Sequence, residues 1–88
     1  MLKKVQVQEV EGEGLVSLMG QRVTLFCMNY IYEGELAGVN DHDVLLENAA
    51  IVYETGPLDQ KGRKDAQKLP GPLYVRTSAI ESYTVMKG

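Results

Sequence analysis

The chain reads as a mostly β domain in which a short helix precedes five antiparallel strands folded into a strongly bent sheet. Three observations predict this. Between residues 22 and 54, three runs rich in β-branched and aromatic residues are separated by compact turn clusters at 28–29 and 38–43, the punctuation of an antiparallel meander. Gly34 falls inside the middle run, where the missing side chain suits a sharp bend or bulge. After a long polar segment, two further runs at 73–77 and 79–86 are divided only by a tight turn near Ser78.

Taken in order, residues 1–12 form an N-terminal arm and 13–88 the one domain. Val5, Val7 and Val10 alternate with polar neighbours, as in an extended arm or short strand. Over 13–19, Leu15, Val16, Leu18 and Met19 sit at helix-compatible spacing between Glu13 and a terminating Gly20, so a short helix is expected that packs on the sheet. The strand at 22–28 splits into Val23, Leu25, Cys27 and Thr24, Phe26, Met28, apolar on both faces; one face fills a barrel and the other is expected to lie under that helix. The strand at 30–39 has a wetter side at Glu33 and Glu35, and the run at 44–54 is long enough to bend across both halves of a small barrel. Residues 55–72 hold all three prolines and four of the nine basic residues, Lys61, Arg63, Lys64 and Lys68, and read as a long mobile loop, either a solvated connection or a flexible electrostatic arm.

Composition narrows the function classes. An 88-residue chain buries a limited fraction of its surface, so barrel closure or self-association would help it. No apolar run approaches the length of a membrane span, and the two lysines near the start have no apolar stretch behind them, so a cytoplasmic protein is expected. One cysteine, Cys27, excludes an internal disulfide and reads as a small core hydrophobe. The net charge of −3 argues against broad attraction to a phosphate backbone, so any nucleic-acid contact must be local. With one histidine, no second metal ligand beside it and no base oriented against a serine or cysteine, neither catalysis, a metal site nor a cofactor is expected.

The order of these residues resembles the Sm-like (LSm) family over about residues 14–86. Its first motif matches Val23, Leu25, Gly34, Leu36, Gly38, the turn Asn40-Asp41-His42-Asp43, Val44 and Leu46. Its second motif matches Tyr74-Val75-Arg76-Thr77 with Ile80. The resemblance implies a strongly bent five-stranded antiparallel Sm-like barrel behind a short N-terminal helix. It also implies a homo-oligomeric ring closed by pairing the last two strands of neighbouring copies. The residues agree with that implication, because neither of those runs carries the proline or lysine that protects a free sheet edge.

The family's RNA-binding rings hold a single-stranded base between the first-motif turn and the second-motif arginine. Carried across, His42 stacks on a base, Arg76 stacks from the other side or holds a phosphate, and Asp43 takes the position of the family's base-reading asparagine if one turn residue is deleted. With the gap placed otherwise, Asn40 is the base reader. Two departures weigh on this: Asp43 lacks an amide donor for uracil O4, and Thr77 stands in place of a glycine beside the pocket. Each residue also has a plainer reading. His42 can be a solvated turn residue, Arg76 can pair with Glu47, Glu81 or a neighbouring copy, and the strand tyrosines are expected to pack. Two functions follow: a ring that binds single-stranded RNA through Asn40, His42, Asp43, Arg76 and Thr77 as a scaffold or chaperone in RNA metabolism, or a structural or protein-interaction ring of the same fold that has lost RNA binding.

Overall fold

Alternation along the strands gathers Val23, Leu25, Leu36, Val44, Leu46, Ala49 and Val75 out of water on one side, and the sheet bends around them. The computed structural model describes residues 14–59 and 62–86; the expected arm at 1–12 lies outside them. Among the described residues six strands form the sheet: β1 Arg22–Cys27, β2 Ile31–Val39, β3 Asp43–Glu54, β4 Asp65–Lys68, β5 Leu73–Arg76 and β6 Ile80–Val85. Their order is β4-β3-β2-β1-β6, with β5 on the other half of β3. All pairings are antiparallel. The expected mostly β architecture with a strongly bent antiparallel sheet is what forms.

The bend has an identifiable origin. Glu33 pairs with Ala50 and Glu35 with Glu47, so Gly34 faces two residues, Asn48 and Ala49, in a β-bulge. Asn48 takes up the extra residue in the left-handed region at φ 49°, a conformation asparagine tolerates better than most side chains. Its carbonyl accepts a bond from Arg22 Nη1 at 3.0 Å. A Cβ on Gly34 would stand 3.0 Å from the Leu46 Cβ and 3.1 Å from the Glu47 carbonyl, so the backbones meet here only because no side chain intervenes. A second register shift between Leu36 and Gly38 restores the original phase before the β2–β3 turn.

Two elements depart from the sequence expectation. The helix over 13–19 is a single 3-10 turn, Leu15–Leu18. Gly14 and Gly20 both adopt positive φ and bracket too few residues for α-helical bonding, so Ser17 and Met19 donate to carbonyls three residues back. Leu15 and Leu18 pack against the main core, whereas Val16 and Met19 face solvent. The segment at 55–72 is not a structureless loop: β4 lies within it and pairs with the second half of β3, from Lys68 opposite Ala50 to Asp65 opposite Glu54. Leu69 extends this ladder by donating to the Ala49 carbonyl. Pro70 and Pro72 then remove amide donors, and the chain turns before β5 resumes on the first half of β3.

The expected burial of β1 on both faces holds, with a different cover. Thr24 pairs with Glu33 and Glu33 with Ala50, and these three, with Val52, are buried on the face away from the main core. Arg63, from the β3–β4 connection, reaches onto that face. Its Nε donates to Glu33 Oε2 at 3.0 Å and its Nη2 to Thr24 Oγ1 at 3.3 Å. Arg22 approaches the other Glu33 oxygen at 3.6 Å. The Arg63 side chain is 3% exposed, so this member of the expected solvated basic cluster is a buried structural ion. Cys27, expected in the core, is half-buried and packs against its edge. Burial, and then the Glu81 carboxylate, push its pKa up.

Candidate nucleic-acid interface

The β2–β3 turn at 40–43 is built by Asn40. Its side-chain oxygen accepts the backbone amides of both His42 and Asp43 at 2.8 Å, while its own amide donates to the Asp43 carbonyl at 3.0 Å. Asparagine at the head of a turn does this because its short carbonyl arm reaches amides two and three residues on. The consequence for recognition is that the Asn40 side-chain acceptor is engaged, while its side-chain NH2 has no hydrogen-bond partner among the described residues.

The second-motif residues dock onto this turn. Asp43 and Arg76 are register partners across β3 and β5, followed inward by Val44 opposite Val75. Val44 and Val75 point into the core, so Asp43 and Arg76 share the opposite face. Thr77 begins the 3-10 turn Thr77–Ala79 that ends β5. Its amide donates to the His42 carbonyl at 2.8 Å, and its hydroxyl lies 3.0 Å from the Asp41 carbonyl and 3.2 Å from that of His42. Thr77 thus locks the two loops together through bonds that glycine could supply only in part.

All five residues singled out in the sequence, Asn40, His42, Asp43, Arg76 and Thr77, come together although more than thirty positions of chain separate the turn from Arg76. They divide into two groups. Asn40 and Thr77 direct their polar atoms into the backbone of the turn. His42 and Arg76 are exposed and Asp43 half-exposed. Among the described residues, none of the ion pairs involves Arg76 or Asp43, so the pairing of Arg76 with Glu47 or Glu81 considered above does not form within the chain.

A further residue borders this surface. Tyr74 alternates with Val75 and so shares the face of Arg76, opposite Leu45, and is 66% exposed. The expectation that strand tyrosines pack fails for Tyr30, Tyr53, Tyr74 and Tyr83, all of them exposed. Period-two alternation carried the signal for Tyr74, since a buried Val75 forces its neighbours outward. Among the described residues no group of three or more potential metal-ligating side chains gathers.

Neither the models of protein families nor the curated proteins contain a match to the chain. Solved structures do. The chain is similar to the crystal structure of the P. aerophilum SmAP1 heptamer, with a TM-score of 0.65 and 19% sequence identity, covering 83% of this chain and 88% of that one. With its strongly bent antiparallel sheet and this likeness, the chain has the Sm-like fold.

Proposed function

We propose that copies of this chain assemble into a ring that binds single-stranded RNA at the surface formed by the 40–43 turn and Arg76, serving as a scaffold or chaperone for cytoplasmic RNA. The observation that carries this reading is the convergence of an exposed imidazole and an exposed guanidinium, neither tied down by an ion pair among the described residues, on a turn held rigid by Asn40 and Thr77. A flat imidazole and a flat, cationic, donor-rich guanidinium on a fixed frame suit unstacked bases and phosphates.

The ring rests on the sheet edges. The outer sides of β5 and β6 have no strand partner within the chain among the described residues. Tyr83 pairs with Leu25 and Val85 with Val23, so both stand on the core side of β6, yet they are 40% and 37% exposed. A core that opens at a strand edge is completed by a neighbour, and joining β6 of one copy to β5 of the next repeats until the rotation closes. The related fold described above is a heptamer, which supports the reading.

Titrating fluorescent oligo-U, oligo-A and mixed-sequence RNAs at low salt tests the proposal; binding at tens of micromolar protein or tighter is expected, with Arg76→Ala weakening it at least about five-fold. Absence of binding to all three would favour the second reading, a structural or protein-interaction ring. One observation favours that alternative: the turn carries two carboxylates, exposed Asp41 and half-exposed Asp43, and a single guanidinium, that of Arg76, stands opposite Asp43.

A further inference from the structure

We infer that Asp43 makes this surface selective for guanine over the other bases, an inference that rests on the RNA-binding reading above. Building the turn uses up several of its polar atoms. The Asn40 oxygen holds two backbone amides, and the Thr77 amide and hydroxyl are directed at the carbonyls of Asp41 and His42. Among the described residues, no hydrogen bond or ion pair engages the Asp43 carboxylate. Arg76, its register partner, stands on the same face and is likewise without an ion pair among the described residues. The free groups side by side on the β3–β5 face are therefore an acceptor-only carboxylate and a donor-only guanidinium, with the Asn40 side-chain NH2 as a further donor in the turn.

That pattern is complementary to one base edge. Guanine presents O6, N1–H and N2–H2 in a row, an acceptor followed by two donors. The two carboxylate oxygens of Asp43 accept N1–H and N2–H2 side by side, and the Arg76 guanidinium beside them donates to O6. Uracil offers a single N3–H between two carbonyl oxygens, both of which repel a carboxylate. Adenine and cytosine each set one amino group next to a ring-nitrogen lone pair, so only one of the two carboxylate oxygens is satisfied. The order is guanine first, adenine and cytosine next, uracil last. His42, adjacent in the turn and exposed, is free to stack on the ring of whichever base is held.

Asn at this position would level the order. Its amide supplies one acceptor and one donor, which matches an adjacent donor–acceptor pair on every base edge, N3–H and O4 of uracil and N1–H and O6 of guanine among them, and gives up the paired acceptors that single out guanine. The substitution leaves the turn intact, because Asp43 joins it through its backbone amide and carbonyl and not through its side chain.

The test uses four fluorescein-labelled pentaribonucleotides, AAGAA, AAAAA, AACAA and AAUAA, titrated with the 88-residue chain by anisotropy at low salt. A single central guanine avoids quadruplex formation. The expected result is that AAGAA binds at least about five-fold more tightly than AAUAA, and that Asp43→Asn removes this preference. Equal binding of AAGAA and AAUAA by the wild-type chain overturns the inference while leaving RNA binding in place. No binding of any of the four at tens of micromolar protein overturns the RNA reading and this inference with it. The ranking on the wild-type protein decides by itself if Asp43→Asn does not fold.

Discussion

Asn40 and Arg63 are both polar residues in connections between strands, and each is committed to the backbone or to a buried partner. Asn40→Ala removes the acceptor of two turn amides, and about 1 kcal/mol of stability is expected to go with it, read as a lower urea midpoint at unchanged m. Asn40→Asp keeps the acceptor and should stay near the wild-type midpoint. Arg63 is a harsher case. Truncating it to Ala strands the Glu33 carboxylate, 6% exposed, with only Arg22 at 3.6 Å, and a loss of about 3–5 kcal/mol is expected by the same measurement. The paired change Arg63→Met with Glu33→Met should recover most of that loss, since it removes both charges together. Wild-type stability in the single Ala variant would mean that the ion pair is not what seats the β3–β4 connection. Composition could not separate Arg63 from Lys61, Lys64 and Lys68, because what distinguishes it is a glutamate thirty positions away.

At the scale of elements, what was legible in the sequence is what depends on local pattern. The three-strand meander, the bend at Gly34 and the turn at 40–43 follow from alternation and from Gly, Asn and Asp at defined places, and they form as read. The misses have the opposite character. β4, Asp-Ala-Gln-Lys, has almost no apolar pattern and exists because β3 offers it a ladder. The apolar spacing of 15–18 fits an α-helix and a 3-10 turn equally, and the positive-φ glycines on either side decide between them. Within β3, the bulge at Asn48 shifts the phase, so Leu46 and then Ala49, not residue 48, face the core. The five candidate site residues were legible as a set because motif order placed them, whereas the division between turn builders and free groups needed coordinates. The bulge makes its own prediction. Gly34→Ala places a methyl 3.0 Å from the Leu46 Cβ and 3.2 Å from the Ala49 Cα, contacts that the backbone must yield to, and a cost of about 1–3 kcal/mol is expected. Thermal unfolding checks it; a Tm equal to wild type would show that the two strands separate there without penalty.

For the whole molecule, a small core and open edges are one problem. Among the described residues the main core is seven buried side chains with a fringe of half-buried ones, which is modest for a domain expected to be stable alone. Tyr83 and Val85 extend it to the margin of β6 and leave it uncovered there. Assembly through that margin would bury them, pair the strand edges and repeat the Arg76 surface once per copy, so under the proposed function stability and RNA affinity would be tied to the same contact. Val85→Lys separates the two. A lysine at this edge can direct its amine to solvent in a monomer but meets apolar surface in an assembly, so the variant should scatter light as a monomer at concentrations where the wild type is oligomeric. Its far-UV circular dichroism should remain that of a β protein, because Val85 lies outside the main core cluster. RNA affinity should fall by more than the single-site contact explains, since one copy can hold one base at a time while a ring holds a strand at several points. A monomer with undiminished affinity for a long RNA would detach RNA binding from assembly. A Val85→Lys protein that remains oligomeric would move the interface away from β6.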